Sequence, residues 1–132
     1  MVKPLLVMVV DDDPMILQVT AAVLERRGHR VLKRSSSIGT SVAISREQPD
    51  VVLLDVNMPG LSGDRLAKLV QPGSSAPVVI LYSGIFEDEL LELARTCGAA
   101  GVIAKNGDQQ YLVQQIERLA RPRLSIAPRE NS

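Results

Sequence analysis

The sequence predicts one α/β domain: a parallel sheet with helices on both faces. Three observations carry that expectation. Strand-length apolar runs, among them Leu5 to Val10, Val51 to Leu54 and Val78 to Leu81, alternate with stretches of helical apolar spacing, and the pattern occurs five times. These runs are apolar throughout rather than at every second position, so both faces of each strand should be covered. Each run closes on residues that carry chemistry, with Asp11 and Asp12, Asp55, Ser83 and Lys105 at the carboxyl edge where open α/β sheets bind ligands.

In chain order, Leu5 to Val10 is followed by Asp11-Asp12-Asp13-Pro14, then Ile16, Val19 and Val23 at helical spacing up to Gly28. Asp13 before Pro14 is a good helix start. Its carboxylate can accept an early amide hydrogen, and proline at the first helical position lacks only a hydrogen that has no partner there. For this reason Asp13 is read as a cap and left out of the candidate metal ligands. Gly28 suits the helix end, and His29 after it is expected to be exposed. A weaker strand is expected near Val31 to Arg34 and a helix from about Ile38 to Glu47, ended by Pro49.

The run Val51 to Leu54 is too short for a helix and breaks at Asn57-Met58-Pro59-Gly60, holding Asp55 at its carboxyl end. Ser62 can cap a short helix over 63–70, and the loop Gln71 to Ser75 leads into Val78 to Leu81, which Ser83-Gly84 ends. Leu90, Leu93, Ala94 and Cys97 form one helix face, with Glu87, Asp88 and Glu89 in the first turn where the helix dipole favours acids. Ala99 to Ala104 forms the last strand, ending in Lys105, and Leu112, Ile116 and Leu119 mark the last helix. The expected domain is 1–120, and 121–132, rich in punctuating residues, is expected to be a flexible tail or linker.

Composition narrows the function classes. Fifteen basic residues balance fifteen acidic ones, so no net field recruits nucleic acid or an anionic membrane. Cys97 has no second cysteine to pair with and is read as a small core residue. The six apolar residues Leu5 to Val10 fall well short of the ~20 that span a bilayer. A cytoplasmic protein is expected.

Four segments together, in this order and each at a strand end, resemble the receiver domain of two-component response regulators over residues 5 to 120. They are Val-Val-Asp-Asp-Asp-Pro at 9–14, Leu-Leu-Asp-Val-Asn-Met-Pro-Gly at 53–60, Leu-Tyr-Ser-Gly at 81–84 and Gly-Ala-Ala-Gly-Val-Ile-Ala-Lys at 98–105. The resemblance implies a flavodoxin-like doubly wound sheet of order 2-1-3-4-5. It also implies a phosphoacceptor at Asp55, Mg²⁺ held by Asp11, Asp12, Asp55 and the backbone carbonyl of Asn57, and phosphoryl contacts from Ser83, Lys105 and the amides of Val56 and Gly84. The phosphoryl donor would be a phosphohistidine on a sensor kinase or histidine phosphotransfer protein. The output would pass through a downstream protein partner or an effector domain outside this chain, with no direct nucleic-acid binding.

The implied chemistry agrees with elementary electrostatics. Carboxylates ~4 Å apart repel by about 4 kcal/mol per pair at an effective dielectric near 20, so three of them gathered together call for a cation. Oxygen-only ligands with room for water suit Mg²⁺. Two competing functions have defined signatures. A haloacid-dehalogenase-type phosphohydrolase would place its nucleophile in Asp11-x-Asp13 and carry a cap insertion, and a phosphorylation-independent binding module would not need the acid pair, acceptor, Ser and Lys together. Two positions depart from the receiver pattern: Val102 stands where Tyr or Phe is frequent, and Asn106 where Pro commonly follows the lysine. Tyr82 is read as no substitute for the missing ring, because strand neighbours point to opposite faces and Ser83 is expected in the crevice.

Overall fold

The computed structural model describes residues 3–58, 76–84, 87–105 and 108–126. The elements are β1 (Leu6–Val10), α1 (Pro14–Arg26), β2 (Arg30–Arg34), α2 (Thr40–Glu47), β3 (Val51–Asp55), β4 (Val78–Ser83), α3 (Glu87–Cys97), β5 (Gly101–Ala104) and α4 (Gln109–Ile126). The expected helix over 63–70, the loop from Gln71 to Ser75 and the Lys105–Asn106 peptide lie outside the described residues.

All five strands are parallel in the order β2-β1-β3-β4-β5. Strand alternation sorts their side chains into two cores. Val7, Val9, Val51, Leu53, Ile80, Tyr82 and Ile103 pack with Leu17 and Leu24 of α1 and Leu112, Val113 and Ile116 of α4. Met8, Val10, Val52, Leu54, Val79 and Leu81 pack with Ala43 of α2 and Leu90 and Ala94 of α3. Uniformly apolar strands are therefore filled from both sides, as a parallel sheet requires.

Helix ends follow local chemistry. The Asp13 carboxylate accepts from the Met15 amide at 3.0 Å, capping α1 as expected. At the other end Gly28, with φ +96°, reverses the chain so that its amide donates to the Glu25 carbonyl and the His29 amide to that of Leu24. At Gly101 the fit is close: a Cβ there would stand 2.7 Å from a methyl of Leu119, whose side chain would have to turn aside to admit it. Leu93 and Cys97 lie partly buried beside Leu90 and Ala94, the face that periodicity indicated.

Three expectations need correction. The buried stripe of α1 is Leu17, Thr20, Ala21 and Leu24, while Val19 is 40% exposed and Ile16 and Val23 only flank the core. Both stripes fit a helical period; the one that includes a threonine faces the sheet. His29 is not exposed but 3% accessible, because it packs under the amino end of the sheet and is held on both ring nitrogens. The stretch expected as tail or linker from residue 121 begins in helix: α4 runs past Pro122 to Ile126.

Candidate phosphoacceptor site

Register builds the site. Val10 pairs with Leu54, so the next residues, Asp11 and Asp55, leave the sheet side by side at its carboxyl edge. Asp55 pairs in turn with Tyr82, and Ser83 with Ala104, which places Lys105 at the same edge. The Lys105 amide donates to the Ser83 carbonyl at 2.9 Å, tying the ends of β4 and β5 together.

Asp11 and Asp55 are buried in matching ways. Oδ1 of Asp11 accepts from the Asp13 amide at 2.9 Å, and Oδ1 of Asp55 from the Asn57 amide at 3.0 Å, each closing a turn two residues on. Their Oδ2 atoms share one cation, with Lys105 Nζ 2.8 Å from Asp11 and 3.1 Å from Asp55. Asp12 completes the cluster from an exposed position, and one ligand oxygen from each of the three carboxylates lies within 4.8 Å of the others. Apart from the ion pair with Lys105, Asp11 Oδ2 is buried without a hydrogen bond. Among the described residues, a single ammonium facing two buried carboxylates, with a third beside them, leaves negative charge uncompensated.

The titration directions follow burial first and the crowding of charge second. Burial raises the Asp55 carboxyl above its usual range, and the Asp11 charge adds to the rise; the Asn57 amide and Lys105 oppose without cancelling it. For Lys105, burial acts to lower the ammonium, but contacts with Asp11 and Asp55 outweigh it and the value is raised. Burial also raises the Tyr82 phenol.

Every residue singled out from the sequence that lies in the described part has a definite place here. Asp11, Asp12, Asp55 and Lys105 are brought together, Ser83 is fully buried at the end of β4, and Asn57 forms the exposed turn after Asp55. Gly84 is exposed beyond β4. The Val56 amide does not face the site as expected: it donates to the Tyr82 carbonyl at 3.3 Å, continuing the ladder.

Sequence reasoning also missed Tyr82. Its ring shares the core of Val7, Val9, Val51 and Leu53, whose strands lead into Asp11 and Asp55, and Lys105 Nζ lies 5.4 Å from the ring centroid. Alternation was the available signal. It does set Tyr82 opposite to Ser83, and counting on by twos from Val7, Val51 and Ile103 to Asp11, Asp55 and Lys105 would have put all three on the tyrosine's side.

The fold and this edge can now be set beside known proteins. The family model for the response regulator receiver domain matches residues 7–117. The chain is similar to Protein PilH of Pseudomonas aeruginosa, 35% identical over 114 residues that cover 83% of this chain and 93% of that one. It is also similar to the transcriptional regulatory protein CseB of Streptomyces coelicolor, 30% identical over 115 residues, 87% of this chain but 49% of CseB. Several of the curated relatives it matches are thus about twice as long as the region shared. Among solved structures, the signal receiver domain of NarL from Mycobacterium tuberculosis superposes with a TM-score of 0.78 at 27% identity, covering 90% of this chain and 98% of that one. A CheY-like receiver domain from Methanospirillum hungatei superposes at 0.82 and shows the same fold at 23% identity, covering 95% and 100%. Among the described residues no helix is long and apolar enough to cross a membrane. With its strand order, its acidic edge and a family match over most of its length, the chain belongs to the response regulator receiver domains of two-component systems.

Proposed function

We propose that this receiver takes a phosphoryl group onto Asp55 from a phosphohistidine of a sensor kinase or histidine phosphotransfer protein, and that the acyl phosphate changes which partner it binds. The observation that carries the reading is Asp55 itself, a buried carboxylate with its acidity weakened, one oxygen on the Asn57 amide and the other shared with Lys105. Aspartyl phosphorylation is also typical of the family. An Asp55 oxygen attacks phosphorus in line as the phosphorus–nitrogen bond breaks, with the electron pair leaving on the imidazole nitrogen. A carboxylate needs no base to deprotonate it. What the site must supply is position and positive charge.

Asp11, Asp12, Asp55 and the Asn57 carbonyl would hold Mg²⁺, which when bound neutralises charge on the transferring phosphoryl oxygens. The residues fit such an ion: the donors are all oxygen, the three carboxylates converge, and the buried Asp11 Oδ2 has the Lys105 ammonium as its one partner among the described residues. Lys105 would follow the phosphoryl oxygens, with the Ser83 hydroxyl and the Gly84 amide as further donors. The output is a downstream protein partner or an effector domain in a longer protein, and the reading involves neither direct nucleic-acid binding nor a membrane. A cytoplasmic location agrees with the expected partners.

Incubation with acetyl phosphate and Mg²⁺ followed by intact-mass measurement tests the proposal. One phosphoryl adduct is expected on the wild-type chain and none on Asp55→Asn. Rapid turnover of phosphate esters without an adduct would instead indicate a phosphohydrolase, and neither adduct nor turnover a phosphorylation-independent binding module.

A further inference from the structure

We propose that Tyr82 is a positioning residue for Lys105, its ring face fixing where the ammonium stands while the carboxylates around it change partners; this rests on the phosphoacceptor reading above. Among the described residues, Lys105 Nζ has three such neighbours: Asp11 Oδ2 at 2.8 Å, Asp55 Oδ2 at 3.1 Å and the Tyr82 ring, whose centroid is 5.4 Å away. Two of the three are claimed by other roles. A divalent ion shared by Asp11, Asp12 and Asp55 draws on the same carboxylates that hold the ammonium and repels it as a like charge. A phosphoryl group on Asp55 would consume one of those oxygens outright. The aromatic face is the neighbour that neither event occupies.

The ring is also firmly held. Tyr82 is 4% exposed and belongs to the core that includes Leu17 of α1, Ile103 of β5 and Leu112, Val113 and Ile116 of α4. It pairs directly with Asp55 across β3 and β4 and with Ile103 across β4 and β5, so its backbone is fixed relative to both acceptor and lysine. A cation within ~6 Å of a ring centroid is attracted by the ring quadrupole, most strongly where water is scarce, and the Lys105 side chain is only 23% exposed.

Comparison of Tyr82→Phe, which keeps the face and removes the hydroxyl, with Tyr82→Leu, which removes the face, tests this. In the unphosphorylated protein, NMR should find the Lys105 ε-methylene protons shifted upfield by the ring in wild type and Tyr82→Phe, and returned to ordinary positions in Tyr82→Leu. With acetyl phosphate, Tyr82→Leu should form adduct about fivefold more slowly while Tyr82→Phe stays within about twofold of wild type. Mg²⁺ affinity should be the same in all three, a split that loosened packing would not produce. Tyr82→Met replaces the leucine variant if that one does not fold. Absence of the upfield shift in wild type overturns the proposal without any variant, as does an unslowed Tyr82→Leu or a Tyr82→Phe as slow as it. If wild type shows the shift but forms no adduct, the contact stands and the phosphoacceptor reading fails.

Discussion

Two buried carboxylates at opposite ends of the sheet meet opposite fates. Glu117 of α4, at the amino end, has its Oε1 2.6 Å from Arg27 Nη2 and its Oε2 2.8 Å from His29 Nε2, and His29 Nδ1 accepts from the Leu5 amide at 3.0 Å. Burial alone would raise its carboxyl, but hydrogen bonds from Arg27 and His29 outweigh burial and hold it below the usual range. Asp55, at the carboxyl end, shares a single lysine with Asp11 and is raised. The first carboxylate has two partners for one charge, and the second has half a partner. A paired carboxylate of the first kind clamps α4 to the start of β1; an underpaired one of the second kind fits the proposed roles of cation ligand and phosphoryl acceptor.

The largest effect expected of breaking this contrast is at Lys105. Lys105→Met removes the ammonium that faces Asp11 and Asp55 at the acidic edge, and adduct formation with acetyl phosphate should fall about 100-fold, the scale of losing one charged donor from a transition state. A fall of less than about threefold, measured as the initial rate by intact mass, would show that the ammonium is a structural counterion only. Glu117→Gln should do the reverse. Chemical denaturation should show a loss of about 1–3 kcal/mol, because His29 and Arg27 lose a charged acceptor, while the adduct rate remains at the wild-type value. A slowed adduct in Glu117→Gln would mean that the two ends are coupled.

pH sharpens the comparison because the two signs differ. The Glu117 carboxyl is lowered on folding, so its stabilisation is complete above the ordinary glutamate value of about 4.3 and is lost as pH falls through the lower folded value. The gap in melting temperature between wild type and Glu117→Gln should therefore close below that value. The Asp55 carboxyl is raised, so its ionisation costs stability above the folded value and that cost fades as pH falls toward the ordinary aspartate value of about 3.9. Without divalent ions Asp55→Asn should melt above wild type at neutral pH, with the advantage shrinking on acidification. An Asp55→Asn protein that melts below wild type at neutral pH would contradict the underpaired state of Asp55.

The two ends were not equally legible in the sequence. Strand runs, the cap at Asp13 and the gathering of Asp11, Asp55 and Lys105 could be read because each depends on local apolar runs and on one topological rule about carboxyl edges. His29, Arg27 and Glu117 could not, since their contacts join residues 88 and 90 positions apart and nothing local marks a histidine after a glycine as buried. The α1 stripe was misplaced because valine was weighed above threonine, although Thr20 faces the sheet and Val19 lies toward solvent. Pro122 belongs to a stretch rich in punctuating residues, yet α4 runs past it to Ile126.

Where the phosphoryl group goes decides whether Asp55 is the acceptor. Borohydride reduction of the acetyl phosphate-treated chain converts an aspartyl phosphate to homoserine, and peptide mass mapping then reads its position. Homoserine at position 55, dependent on Mg²⁺, is the predicted result. Homoserine at position 11, 12 or 13 with none at 55 would contradict it.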